Sequence, residues 1–202
     1  MTLGLVGCFD DNEIRELIPI LIKNFKGYDY IDVRKILEDN HGTLRIKVGI
    51  PCKFAGLEVG DYLKATIKGR TIIFTKVDNV EGITGFYKIG KSGKVKILKA
   101  TKLFKAMGWD IGDYVLVMAR KGEIVLKKLD DELERNRDAL KKLLEIAKVK
   151  YVVSEIDKDT YALKLPNGKE IKVVLPKEEE VVIDVRDVDK VFDYLSEDIE
   201  DL

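Results

Sequence analysis

The sequence predicts a mainly β chain with α elements, and three observations carry that prediction. The segment "GLEVGDYLKATIKGRTIIFTKV" (56–77) aligns with "GWDIGDYVLVMARKGEIVLKKL" (108–129) at an offset of 52, sharing Gly56/Gly108, Gly60/Gly112, Asp61/Asp113 and Tyr62/Tyr114. Self-similarity of this kind marks tandem copies of one supersecondary unit. Within both copies apolar residues alternate with polar ones, the period of a half-buried strand. Beyond residue 150 the chain returns to short alternating runs, "KYVVSEI", "TYALKL", "IKVVL" and "VVIDV", with Asn167-Gly168 as a hairpin signal between the second and third. The chain therefore divides into an N-terminal amphipathic helix (1–30), a tandem unit (31–129, copies 31–78 and 85–129), a connecting helix (130–149) and a small C-terminal α+β module (150–202), an acidic β-meander closed by a helix.

Each element has a local reason. Asp10 with Glu13 three residues on is a capping arrangement, and Ile14, Leu17, Ile18, Leu21, Ile22 and Phe25 continue at helical spacing up to Gly27. Pro19 inside that run demands a kink or a split. In the tandem unit each Gly-Asp-Tyr opens an alternating strand, a turn at Gly69 or Gly122 reverses the chain, and a second strand returns. A further strand precedes each unit, "TLRIKVGI" or "KVKIL", and only the second copy has room for a full helical turn or two, "KATKLFKAM". Residues 131–149 place Leu133, Leu140, Leu143, Leu144 and Ile146 on one side of a helix that reads as a connector. A last acidic helix is expected at about 187–199.

Composition excludes several classes. At 202 residues and 46% hydrophobic the chain is long enough for an ample core and is not disordered. Cys8 and Cys52 lack metal or redox spacing and His41 is the single histidine, so no zinc site, disulfide framework or cofactor is expected. No run reaches the roughly 18 apolar residues of a membrane span, and the first residues lack a basic signal-peptide start, which predicts a cytoplasmic protein without membrane contact. Charged residues make up 36% of the chain and glutamine is absent, a thermophile-like pattern. The zero net charge conceals a division: residues 31–129 hold 20 Lys/Arg against 10 Asp/Glu, while 176–202 hold eleven acids against three bases.

The stretch "GFYKIGKSGKVKILKATKLFK" (85–105) admits two chemistries. Gly85, Gly90, Lys91 and Ser92 spell a phosphate-binding loop. Such a loop must lead from a strand into a helix, whereas Ser92 is followed by Gly93 and then by Lys94-Val95-Lys96-Ile97 with the period of a strand. The alternative carries the argument: seven lysines (88, 91, 94, 96, 99, 102, 105) without an interleaved acid form a surface for a polyanion.

The order basic strand, second strand, short helix, Gly-Asp and closing hairpin, met in 33–77 and again in 86–129, resembles the AbrB-like (SpoVT/AbrB) swapped-hairpin DNA-binding domain. The resemblance covers about half the chain. It implies a barrel closed by exchanged hairpins, here completed within one chain, and a basic face that grips double-stranded DNA. The family's contact positions fall on Lys88, Lys94, Lys102 and Lys105 in the second copy and on Arg34 and Lys53 in the first; the charge pattern adds Lys91, Lys96 and Lys99. The chain departs from the family in having Thr43 where arginine is common, and Ile97-Leu98 where Ile-Pro is usual.

The expected function is a DNA-binding transcriptional regulator or nucleoid-type protein, not an enzyme, since no catalytic constellation stands out. The alternative is a non-catalytic antitoxin-like or assembly protein whose barrel is a dimerisation scaffold, with a homo-oligomeric or protein partner at the acidic C-terminal module. That module either stays solvated or competes with DNA for the lysines.

Overall fold

The computed structural model describes residues 4–81 and 85–178. The strand expected at 181–185 and the acidic helix expected at 187–199 lie outside them. At the N-terminus the capping box forms as its spelling requires: the Asp10 carboxylate accepts from Glu13 N at 2.9 Å and Glu13 accepts from Asp10 N at 3.0 Å. The helix it starts, α1 (Asp11–Arg15), is short. Pro19 splits the run into a second helix, α2 (Ile18–Leu21), whose first turn tolerates a residue without N–H.

The tandem unit builds one antiparallel sheet. The first copy supplies β1 (Tyr30–Lys35), β2 (Leu37–Glu38), β3 (Leu44–Lys47), α3 (Gly49–Ala55), β4 (Tyr62–Lys68) and β5 (Thr71–Val77). The second supplies β6 (Phe86–Ser92), β7 (Val95–Lys99), α4 (Thr101–Ala106), β8 (Tyr114–Arg120) and β9 (Glu123–Lys128). The strand order is β1-β8-β9-β5-β4-β6-β7-β3-β2. β1 and β2, at opposite ends of that order, are one strand bent at Ile36, so the sheet curls into a nearly closed barrel.

Pairing between copies holds this sheet together. β1 pairs with β8 and β4 with β6, while β3 pairs with β7 and β5 with β9. Two of these contacts set equivalent residues opposite each other, Ile46 against Leu98 and Ile73 against Val125, both at the offset of 52. A pseudo-twofold axis passes through both pairs. The repeated Gly-Asp obeys the same symmetry. Gly60 N donates to Ile89 O at 2.8 Å and Gly112 N to Ile36 O at 2.9 Å; Ile89 N returns a bond to Asp61 O at 3.0 Å and Ile36 N to Asp113 O at 2.8 Å. The glycines sit at φ 97° and 83°, where a Cβ is strained. Each aspartate carboxylate closes its own turn by accepting from Glu58 N or Asp110 N at 2.8 Å and faces a lysine, Lys76 at 3.4 Å or Lys128 at 3.3 Å.

The first copy does not lack its helix: α3 has seven residues against six in α4. Pro51 falls in its first turn, where proline costs no hydrogen bond. Val48, Pro51 and Cys52 take the buried places of Ala100, Leu103 and Phe104.

The barrel interior is filled by Leu63, Ile72, Phe74 and Ile89 with Leu98, Val115, Val117 and Leu126, all fully buried. A second core lies outside it. β8 is buried on both faces from Tyr114 to Ala119, because its outer residues Tyr114 and Leu116 pack among the N-terminal helices and the elements C-terminal to the barrel. There α5 (Leu129–Leu133) and α6 (Arg137–Lys150) are separated at Asn136, whose side chain caps α6 by accepting from Ala139 N at 3.0 Å. The three-stranded sheet β10 (Val152–Asp157), β11 (Thr160–Lys164) and β12 (Glu170–Val174) adds Leu163, Ile171 and Val173 to the same core. The helix expected as a connector is thus the centre of this core: Leu140, Leu143 and Ala147 are fully buried.

At the junction of the two cores Asp130 is held partly buried, with Oδ1 lacking a hydrogen-bond partner among the described residues. Burial pushes its carboxyl up to about 6, against the pull of Lys128 and with Asp113, Asp131 and Glu134 adding to the rise.

Both the second core and this buried carboxyl can be tested by substitution. Leu140→Ala costs about 2–5 kcal/mol in denaturant unfolding, and a loss below about 0.5 kcal/mol would return α6 to the role of an exposed connector. Because the folded-state pKa of Asp130 is raised, its neutral form favours the native state; stability is highest below the unfolded value of roughly 4 and falls as pH rises toward about 6. Asp130→Asn stabilises by about 1 kcal/mol at pH 7, discounted for partial exposure, and the gain vanishes near pH 4. A pH-independent difference would overturn the assignment.

Candidate nucleic-acid interface

The lysine run occupies β6, the turn to β7, β7 itself and α4. Gly90, Lys91 and Ser92 stay in register with Ile97, Lys96 and Val95, so their backbone belongs to a hairpin and not to a loop that cradles phosphate. The turn is Gly93-Lys94 with φ 60° at Gly93 alone, the glycine placement of a type II′ turn. Lys94 therefore stands at the tip of a two-residue hairpin.

The nine cationic positions separate by what surrounds them. Lys53, Lys88, Lys91, Lys94, Lys102 and Lys105 are exposed and make no ion pair among the described residues. Lys53 on α3 and Lys105 on α4 are equivalents under the offset of 52, so the pseudo-twofold axis relates these two lysines. Lys88 lies 5.4 Å from the centre of the Tyr62 ring, mirrored by Lys35 at 4.9 Å from Tyr114.

The remaining three are occupied. The expectation of a run without acid beside it holds along the chain but not in space. Lys96 donates to Leu57 O at 3.0 Å and to the Glu58 carboxylate at 2.7 Å, bracing the turn before β4. Lys99 pairs with Asp39 at 3.1 Å. Arg34 pairs with Asp32 and donates to the Tyr30 hydroxyl at 3.0 Å, leaving its side chain only 16% exposed. These three are ion-paired in their observed places.

The two hairpin tips differ in sign. Where the second copy has Lys91 to Lys94, the first has Glu38, Asp39, Asn40 and His41. Asp39 accepts from the backbone N–H of Thr43 at 3.0 Å and of His41 at 2.9 Å. Those amides, with Lys99, hold its carboxyl well below the usual range. The basic surface is consequently lopsided, concentrated on the second copy.

The strand β3 adds two cationic residues outside the lysine run. Arg45 reaches Ser92 Oγ at 3.0 Å from β3, and Lys47 is exposed on the same strand. Lys47 is the offset equivalent of Lys99, so the repeat itself carried the signal. With Arg15 and Lys35 it lines a cavity of about 500 Å³ between the N-terminal helices and the barrel. Neither cysteine offers a nucleophile: burial raises both thiols, Cys52 to about 11. Among the described residues no three His, Cys, Asp or Glu side chains gather as a metal site, and no helix is long and apolar enough to cross a membrane.

No family model, curated protein or solved structure matches the chain.

The division of lysines is measurable. Lys96→Ala leaves the Leu57 carbonyl and Glu58 without their partner and lowers stability by about 1–2 kcal/mol. Lys94→Ala changes it by less than about 0.5 kcal/mol. Equal effects in urea unfolding would contradict the separation.

Proposed function

We propose that the protein is a non-enzymatic DNA-binding protein, a transcriptional regulator or nucleoid-type binder, whose interleaved barrel is a tandem AbrB-like swapped-hairpin domain acting in the cytoplasm. The observation that carries the reading is the set of Lys91, Lys94, Lys102 and Lys105 on one hairpin and the helix after it, exposed and free of ion pairs among the described residues. Desolvated acid partners would cancel such a patch; here the potential is left for an external polyanion.

The chemistry of lysine sets the mode. A point charge on a flexible stem contacts phosphate oxygens and lacks the fork that reads guanine, so the contacts are with the backbone and sequence preference is modest. Lys53 joins from the first copy across the pseudo-twofold axis, while the acidic tip at Glu38–Asp39 repels the duplex from that side. DNA therefore engages the second copy first.

The test is anisotropy of a labelled 20-bp duplex at several salt concentrations. Lys94→Glu with Lys102→Glu weakens binding more than tenfold at 50 mM salt and reduces the log-log salt slope by about 2, at roughly 0.9 per neutralised phosphate. Lys99→Ala, already paired with Asp39, stays within twofold of wild type. Unchanged affinity and slope in a folded double variant would remove DNA binding from this surface.

A further inference from the structure

The pseudo-twofold axis makes two three-stranded faces equivalent, and the chain treats them in opposite ways. On one, the outer positions at Tyr114 and Leu116 in β8, at Leu129 just past β9 and at Val33 in β1 belong to the second core, and Met118 and Val125 are buried. On the other, the same positions of β4, β5 and β6 read Tyr62, Lys64, Val77 and Phe86, with Thr66 and Ile73 for the last two. Among the described residues nothing covers this face. Leu116 has become Lys64 and Met118 has become Thr66, as solvent requires, yet two aromatic rings remain. Tyr62 is 38% exposed and Phe86 is half-buried.

Their arrangement is specific. Tyr62 pairs across the strands with Lys88 and Lys64 with Phe86, which sets two rings and two lysines in a checkerboard. The rings meet edge to face at 6.0 Å, and Lys88 Nζ lies over Tyr62. Lys68 extends the charge along β4 to a pocket that it shares with Asp131 and Glu132, and no outer position of β4, β5 or β6 itself carries Asp or Glu.

We propose that this face is a binding platform for single-stranded nucleic acid, with bases stacking on Tyr62 and Phe86 and phosphates meeting Lys64, Lys68 and Lys88. Charge complementarity requires a polyanion. Exposed rings beside the lysines select a single strand, whose bases present their π-faces, over a duplex that keeps them stacked inside. A second copy of the chain is a poor occupant, because an isologous contact would set lysine against lysine. The face is built from residues other than Lys94 and Lys102, so it stands or falls independently of the duplex-binding proposal.

The experiment uses the full chain and labelled 15-mers of deoxythymidine and of uridine at 50 mM salt. Tyr62→Ala with Phe86→Ala weakens binding at least tenfold, a loss in the range base–aromatic stacking supplies. Lys64→Glu with Lys88→Glu, at two exposed positions with no role in either core, does the same and guards against a folding defect in the aromatic variant. Lys94→Glu with Lys102→Glu stays within twofold on the single strand. Equal binding of the two oligomers, or preference for one, supports the platform and names its nucleic acid. The proposal is overturned if the Lys64/Lys88 variant is folded and binds as wild type, or if the Lys94/Lys102 variant loses single strand and duplex alike. It is also overturned if wild type shows no single-strand binding but self-associates through Tyr62 and Phe86.

Discussion

Pairing between the two copies is the constraint on which the rest of the molecule depends. Neither copy closes a sheet alone. The first strand of each leaves its own hairpin and runs beside the third strand of the other, Tyr30–Lys35 along β8 and Phe86–Lys88 along β4. The Gly-Asp turns make this exchange possible. Their amides and carbonyls bond to Ile36 and Ile89, the points at which each crossing strand changes partner. Linking both copies in one chain makes that exchange intramolecular and raises its effective concentration.

A symmetric barrel has two equivalent outer faces, and this chain devotes its remaining length to one of them. The N-terminal helices and α5 pack over β1 and β8, and α6 and the small sheet share their core, which is why β8 is apolar at six successive positions while β4 alternates. Covering one side breaks the symmetry of the whole. The uncovered side must be polar to remain soluble, and the hairpin tips and outer strands can then diverge in charge without disturbing the shared interior.

Charge is partitioned along the same lines. Lysines that bear on the fold are tied to acids distant in sequence, Lys96 to Glu58 and Lys99 to Asp39, and brace a turn or a hairpin tip. Those at the Gly93-Lys94 turn and on α4 meet no such partner among the described residues. A surface ion pair in water is worth about 0–1 kcal/mol, so leaving these lysines unpaired costs the fold little and keeps their field available to a ligand.

The sequence alone determined the strand periods, the repeat at 52, the split at Pro19 and the hairpin at Asn167-Gly168, because each is written in local spacing or in the stereochemistry of one residue. The strand signal also disposed of the phosphate-loop spelling at Gly85–Ser92. Local signals failed where the deciding contact was remote. α3 was hidden by Gly49-Ile50-Pro51, a poor helical spelling that succeeds because Cys52 and Ala55 are pressed into the barrel. The role of α6 was hidden because its amphipathic face could not name what it covers. Among the candidate contacts, Lys88, Lys91, Lys94, Lys102 and Lys105 of the run are exposed, as is Lys53 from the first copy, and Arg34 meets Asp32 two residues before it, whereas the pairing of Lys96 and Lys99 could not be read from a run of one sign. An ion pair between residues 38 to 60 apart exists only after the strands have crossed. Tertiary structure alone decided which lysines face water and which face an acid.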